Sequence, residues 1–368
     1  MKKRFFKKLL IGMTVGFFFV TTFTGVSLAK SINWKMASVW IPSLPLFDSD
    51  KKFVQIVNEA SGGRLNIKLF SAGEIVPAFE VFDAVRSGAV HMGGDTPLYW
   101  GGKDLAFAFV GSFPMYMSPV DYWVWLYQAQ GVELIQEIYA KYGIVWFPNA
   151  VVMPESGFRT NKPINTLEDM KGMKLRASGK FQGDLLKSLG VSHVMLSASE
   201  VYQALEKGTV DGTEYSLPSI DWPLGLGEVT KYWLTPAGWH QPSSVTGVLI
   251  NKKVWDGLPN DLKKFIEYSA MATTSWATTH MEYGCFEATK KFIDKGIKVT
   301  RLSNEDLDKV ENISKEILIK ECKANPLLAK IARSQIKFLQ DNMQWRSIAS
   351  PFGYGRNSKN LPKLEELQ

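Results

Sequence analysis

A ten-residue pattern occurs twice in this chain at an offset of 120 residues, as Val81 to Val90 (VFDAVRSGAV) and Val201 to Val210 (VYQALEKGTV). Val81, Ala84 and Val85, matched by Val201, Ala204 and Leu205, fall at the spacing that lines one face of a helix. Gly88 and Gly208 stand where a helix end calls for a positive φ, and Val90 and Val210 open a strand. Upstream of each copy a short apolar run leads to a serine three residues before a glutamate, Ser71 with Glu74 and Ser197 with Glu200. That is the spacing of a capping box, and it predicts a helix start in both places. A period this long is not that of a solenoid. It implies two similar α/β domains, with the cleft between them as the natural place for a ligand.

The N-terminus decides which charges count. Met1 to Lys8 is basic, Leu9 to Val26 is apolar with interspersed Thr and Gly, and Ser27, Leu28 and Ala29 close the segment. This is the pattern of a secretory leader cleaved after about Ala29, giving a periplasmic chain. The alternative is an uncleaved anchor, against which Thr14, Thr21, Thr22 and Thr24 dilute the apolar stretch. The leader holds five of the 43 Lys and Arg and no acid, so the remaining 38 face 36 Asp and Glu. A balance that close to neutral removes the case for nucleic acid as a partner. Cys285 and Cys322 lie in helical patterns, and their spacing does not decide between a disulfide and two separate thiols.

The hydrophobic patterns divide the chain into residues 1–29 (leader), 30–150 (first α/β domain), 151–244 (second α/β domain), 245–255 (a strand returning to the first domain) and 256–368 (helix-rich). Strands are expected at 32–38, 64–70, 90–94 and 144–150, and helices at 47–60, 76–87 and 119–142. The βαβα order argues for a mainly parallel sheet. In the second domain, strands fall near Lys174 and Ser192, with helices at 180–189 and 198–207. A helix starting near Leu262 and reaching Lys295 would exceed about 45 Å at 1.5 Å per residue, long enough to brace both domains. Helices at 304–324 and 326–341 follow.

Common enzyme signatures are missing: there is no Gly-x-Ser-x-Gly, His-Glu-x-x-His, Cys-x-x-Cys or Gly-x-Gly-x-x-Gly. Gly101, Gly102 and Lys103 do not make a phosphate loop, because Pro97 stands at the first glycine of that motif and Asp104 follows the lysine. His91, His193, His240 and His280 are scattered, without metal-ligand spacing. What remains is a set of polar and aromatic residues just past strand ends, where α/β folds bind ligands. Asp95, Tyr99 and Trp100 follow the first copy of the repeat; Glu214 and Tyr215 follow the second. Each of these is either a ligand contact or ordinary packing. Arg176 shares a strand with Leu175 but faces the other way, so it is either solvated or a planar donor fork for a carboxylate. Trp233, Trp239 and His240 lie between Pro236 and Pro242 or just before them, in a stiff aromatic segment that either covers a small ligand or packs on a core.

Four segments together resemble the substrate-binding proteins of TRAP (tripartite ATP-independent periplasmic) transporters, along nearly the whole mature chain. They are SAGEIVPAFEVFDAVRSG at 71–88, DMKGMKLR at 169–176, ALEKGTVDGTE at 204–214, and GWHQP at 238–242 followed by INK at 250–252. The first and last look like the branch that binds 2-oxo acids and related carboxylates. The resemblance implies a two-domain periplasmic-binding-protein fold of α/β class, with hinge strands and a long helix spanning both domains, that closes on a ligand carboxylate. It gives Arg176 the role of carboxylate anchor. Glu214 and Tyr215 take positions that help hold a cation, sodium or calcium, beside the substrate. The ligand would pass to a membrane permease driven by a sodium gradient, and no catalysis is implied.

Three positions depart from the family pattern. Tyr215 stands where the oxo-acid branch has tryptophan, Gln241 replaces an acid, and a glutamine expected as cation ligand has no match in Val151 to Gly157. Together with the aromatic set, these departures also suit a larger or aromatic carboxylate. Ile331, Ile336, Phe338 and Leu339 permit a homodimer through a C-terminal helix, as in some members. The rivals are a periplasmic lyase-type enzyme with Glu214 as base, and a ligand sensor.

Overall fold

Eleven strands organise the described residues, which run from 31 to 349 in this computed structural model; the leader with its cleavage point, and the chain after residue 349, lie outside them. In chain order the strands are β1 (Ile32–Ala37), β2 (Leu65–Phe70), β3 (Met92–Asp95), β4 (Ile144–Val152), β5 (Phe158–Thr160) and β6 (Lys174–Arg176). There follow β7 (Ser192–Val194), β8 (Gly212–Thr213), β9 (Tyr232–Thr235), β10 (Ser244–Asn251) and β11 (Lys298–Arg301). One sheet has the order β2-β1-β3-β10-β4, the other β11-β9-β5-β8-β6-β7.

The sequence repeat is a topological repeat. The parallel trio β2-β1-β3 recurs as β7-β6-β8, and each trio is flanked by an antiparallel strand, β10 on β3 and β5 on β8. The helices Val81–Ser87 and Ala198–Glu206 lead through Gly88 (φ 84°) and Gly208 (φ 66°) into β3 and β8. Val90 N and Val210 N donate to the Ala84 and Ala204 carbonyls, each at 3.3 Å. The sheets are therefore mixed where the sequence suggested mainly parallel ones, because each domain takes a strand from chain that has just crossed, or is crossing back.

Those crossings are the hinge. The chain leaves the first sheet after β4, enters the second at β5, and returns from β9 to β10. Glu155 N donates to Gln241 O at 3.2 Å, and Gly238 N donates to Glu155 O at 2.8 Å, so the two crossing segments run against each other. Gly157 adopts φ 105°, and a Cβ there would stand 1.9 Å from the Leu234 carbonyl oxygen; only glycine lets the crossing pass this close.

The helix Asn260–Asp294 runs 35 residues, about 50 Å, along both domains. Its buried face is small and hydroxylic, with Ser269, Ala270, Thr273, Thr274, Ala277 and Thr278. Thr278 Oγ1 donates to Val151 O at 2.8 Å and accepts from Val151 N at 3.1 Å, while Thr274 Oγ1 donates to Pro148 O at 3.1 Å. At the other end Phe292 forms one wall of a slot for Arg159, whose guanidinium lies 3.9 Å from that ring and 3.8 Å from Trp233, paired to Asp221 at 3.2 Å. One end of the helix is thus pinned to the first domain and the other to the second.

Several elements differ from expectation. The second capping box forms: Ser197 N donates to Glu200 Oε2 at 2.8 Å and the helix follows. Ser71 N donates to Glu74 Oε2 at 3.0 Å too, but there it closes a turn, and the helix waits until Val81. Pro77 disfavours helical backbone at Val76, which explains the delay. The segment 119–142 is two helices, Pro119–Gln128 and Gly131–Ala140, broken at Gln130 with φ 62°. The residues after 256 are not all helical, since β11 joins the second sheet beside β9. Both cysteines are free thiols; Cys285 Sγ lies 3.5 Å from Ser219 Oγ.

Candidate ligand site between the domains

Where the ends of β3 and β6 face each other across the crossing segments, they enclose a cavity of about 30 Å³, room for about two waters. The first domain contributes Trp40, Tyr99 and Thr246; the second contributes Arg176, Ser178 and Tyr215. Glu155 and Gln241, from the two crossings, complete the wall. As it stands the space admits water, and an acid of several heavy atoms needs the two domains to part slightly around it.

Arg176 ends β6, where alternation places it opposite Leu175, and both domains shield it from water. Its Nε donates to Leu196 O at 3.0 Å, as does Nη2 at 2.9 Å. Nη1 donates to Glu214 O at 2.7 Å and Glu214 Oε1 at 3.1 Å. Four of the five N–H groups are committed, which leaves one, on Nη2, for a ligand. Burial is the largest influence on Arg176 and works to lower its pKa, but Glu214, Tyr99, Tyr215 and Glu155 together outweigh it and the guanidinium is held above its ordinary value. The Tyr215 ring lies 4.7 Å from the guanidinium carbon, and burial raises the pKa of both Tyr215 and Tyr99.

Beside Arg176 are two carboxylates and an imidazole. Ligand atoms of Glu155, Glu214 and His240, all buried, lie within 4.8 Å of one another. Burial, then the Glu214 charge, pushes Glu155 well above the usual carboxylate range. Burial lowers His240 to about 4. With burial holding His240 neutral above about pH 4, its 3.2 Å contact from Nε2 to Glu155 Oε2 is a hydrogen bond rather than an ion pair. Gln241 Nε2 donates to Glu155 Oε1 at 2.5 Å, and the Ser178 amide donates to Glu214 Oε1. Glu214 Oε2 meets no N–H donor, and the Glu155 carboxyl group lies within hydrogen-bond reach of Glu214. Two adjacent buried acids with a carboxylate oxygen left over fit a hard cation, which takes oxygen ligands.

Of the residues singled out in the sequence, Arg176, Tyr215 and Tyr99 line the cavity, and Glu214 and His240 lie directly behind it. Asp95 and Trp100 do not reach it. Asp95 accepts from Trp100 Nε1 at 2.5 Å, Tyr139 OH at 2.5 Å and Trp146 Nε1 at 2.8 Å, a polar knot inside the first domain. Trp239 packs on Phe158 in the second core, and its carbonyl accepts from Met115 N at 3.2 Å. Sequence reasoning missed Glu155, Ser178 and Thr246. Glu155 stands in the segment searched for a glutamine, where an acid was the available signal.

Two pseudo-symmetric α/β domains that exchange strands around a buried, charged cavity define a two-lobed solute-binding protein. The chain belongs to the bacterial extracellular solute-binding protein family 7, whose pattern it matches over residues 36–324. A monocarboxylate 2-oxoacid-binding periplasmic protein of Nostoc sp. strain PCC 7120 is 29% identical over 318 residues, 86% of this chain and 87% of that protein. A TRAP periplasmic solute-binding protein from Pseudoalteromonas atlantica, with bound sodium and pyruvate, is 30% identical with a TM-score of 0.82 over 87% of this chain and 97% of its own. One from Bordetella bronchiseptica RB50, a mixed-occupancy dimer with copurified calcium and picolinate in its active site, is 27% identical with a TM-score of 0.84, covering 87% and 95%. The chain is thus a TRAP-type solute-binding protein, in a family whose members are substrate-binding transport proteins rather than enzymes. No helix among the described residues is long and apolar enough to cross a membrane.

Proposed function

We propose that this protein captures a small carboxylate between its two domains and delivers it to a TRAP membrane permease. The observation that carries this reading is Arg176, a permanently charged guanidinium out of water at the cavity wall, with one N–H uncommitted. The ligand carboxylate accepts from that N–H and displaces Glu214 Oε1 at Nη1, so the fork closes on it. Tyr99 and Tyr215 exclude water, and the domains, bounded near residues 150 and 244, close about the crossing segments. The carboxylate ligands of the relatives named above support the same class. Glu155 and Glu214, with Tyr215 next to them in the wall, are the residues that would hold sodium or calcium; such an ion would supply positive charge to a ligand oxygen. Export after cleavage near Ala29 completes the reading.

A thermal-shift screen of mature protein against mono- and dicarboxylates, aliphatic and aromatic, with sodium, calcium or chelator, tests this reading, since ligand raises Tm as RT ln(1 + [L]/Kd). A shift with one carboxylate class is expected. No shift with any of them, in protein freed of copurified ligand by unfolding and refolding, overturns it.

We also propose that two copies pair through the helix Pro326–Ala349. Its buried residues stop at Gln335, and beyond them Met343, Trp345 and Ile348 are 64%, 67% and 70% exposed. Apolar side chains so exposed on a helix that Phe338, Leu339 and the Arg346–Asp121 pair hold against the first domain suit a second copy.

A further inference from the structure

The first-domain wall of the cavity carries a chain of hydrogen bonds that the carboxylate reading does not use. Asp50, on the helix Pro45–Ala60, is wholly buried and accepts from Ser38 Oγ at 2.6 Å and Asn149 Nδ2 at 2.9 Å. Asn149 Oδ1 in turn accepts from Thr246 Oγ1 at 2.7 Å. Thr246 lines the cavity. It also sits at a break in register between Thr246 and Gly247, where β10 is irregular against β4, and such bulges re-aim side chains.

The direction of the chain is set from its far end. An ionised Asp50 has no hydrogen to give, so the amide NH₂ of Asn149 must face it. The amide oxygen then faces Thr246, whose hydroxyl gives its only hydrogen to that oxygen. Lone pairs are all that Thr246 Oγ1 has left. We propose that Asp50, acting through Asn149, fixes Thr246 as a hydrogen-bond acceptor in the cavity, so that the ligand carries a hydroxyl or amino donor as well as the carboxylate held by Arg176. The proposal rests on the carboxylate reading and narrows it. A ligand that presents only acceptors at this wall sets its lone pairs against those of Thr246 Oγ1 with no hydrogen between them, and sites built around a donated hydrogen bond discriminate strongly against the analogue that lacks it.

Protonation of Asp50 reverses the chain. The neutral acid donates to Asn149 Oδ1, the amide turns over, its NH₂ donates to Thr246 Oγ1, and the threonine hydrogen is released to the cavity. Burial raises Asp50 to about 7, with Asp95 on β3 adding to the rise, so the reversal falls in an accessible range. Around Asp50, β4 presents Asn149 and β3 presents Gly94, where a Cβ would stand 2.3 Å from Asp50 Oδ2. On β2, Lys68 is exposed, over the Phe70 ring at 4.9 Å. From the spanning helix His280 approaches Asp48 at 3.8 Å, and Lys52 lies over Trp276 at 5.5 Å.

The test is calorimetric titration of the mature protein with matched oxo and hydroxy acids: pyruvate and lactate, 2-oxobutyrate and 2-hydroxybutyrate, acetoacetate and 3-hydroxybutyrate, both enantiomers of each hydroxy acid. At pH 8.5 the hydroxy member of at least one pair should bind at least tenfold tighter than its oxo partner, and at pH 5.5 that preference should shrink or invert. Thr246→Val should remove the preference while both members still bind, and Thr246→Ser should keep it. Asp50→Asn, whose amide satisfies Asn149 in either orientation, should remove the pH dependence; with the wild-type pH comparison it carries the test if Thr246→Val does not fold. Equal binding, or oxo acids binding more tightly in every pair at pH 8.5, overturns this assignment alone. Binding by neither member of any pair overturns the carboxylate reading for these acids and this proposal with it.

Discussion

Glu214 Oε1 lies 3.1 Å from Arg176 Nη1 with both side chains out of water, so an internal carboxylate already occupies part of the fork assigned to the ligand. The pair is structural as well as functional. Arg176→Ala should abolish carboxylate binding, measured by calorimetry, and also cost about 3–5 kcal/mol of stability, because it leaves Glu214 buried and uncompensated. A folded, full-stability Arg176→Ala protein that binds its carboxylate normally would contradict both halves. The double variant Arg176→Met with Glu214→Gln should recover stability without recovering binding.

Cation binding should depend on pH through Glu155. Its raised pKa means a proton must leave before the carboxylate can act as a ligand, so calcium affinity should tighten as pH rises, with proton release. Titrations in buffers of different ionisation heat read that proton directly. Glu155→Gln should abolish the release and weaken any cation-induced rise in Tm.

Stability should fall as pH rises from about 4 to about 7 and level off above that. Asp50 is raised to about 7 and Asp95 to about 6 by burial, so the folded state binds protons that the unfolded state, near 3.8, has lost. Their stabilising contribution is full below about 3.8, declines from there, and is gone once pH has passed about 6 for Asp95 and about 7 for Asp50. His240, lowered to about 4, acts in the opposite sense, but only between about 4 and 6.5. Between pH 5 and 7 Asp50→Asn should flatten the decline in urea-unfolding stability by at most roughly 1.4 kcal/mol per unit, and above about pH 8 Asp50 adds no slope in either protein.

Thr278→Val should destabilise by about 1–3 kcal/mol, since Val151 then keeps a buried N–H and C=O without the side-chain partner each has now. The change is isosteric, so a loss well below that range in chemical denaturation would show that the hydroxyl contacts do not hold the helix to the hinge.

Light scattering should give twice the chain mass for the mature protein, and Trp345→Glu with Ile348→Glu should give the single mass with carboxylate affinity intact. A monomeric wild type at micromolar concentration would remove the pairing.

What the sequence made legible follows from the length of each signal. The repeat and the 35-residue helix span many residues, so their periodicity survives noise, and Arg176 stood out because a strand's alternation separated it from Leu175. β5, β8 and β9, of three, two and four residues, are too short to show a period, which hid the mixed sheets and the crossings. Glu155 lies in irregular chain whose course depends on a partner more than 80 residues away, so no local rule could aim it at Glu214. Asp95 and Trp100 were rightly placed past a strand end, but that position does not say which side of the strand faces the cleft, and three donors turned Asp95 inward.

The order of strands in the first sheet has a consequence for biosynthesis. β4 joins its sheet only through β10, and β10 begins 92 positions after β4 ends (244 less 152). A nascent chain that has made β1 to β9 still holds β4 with no neighbour to pair with, and the first sheet stays open until five of the six strands of the second have emerged. Non-local pairing of this kind delays folding.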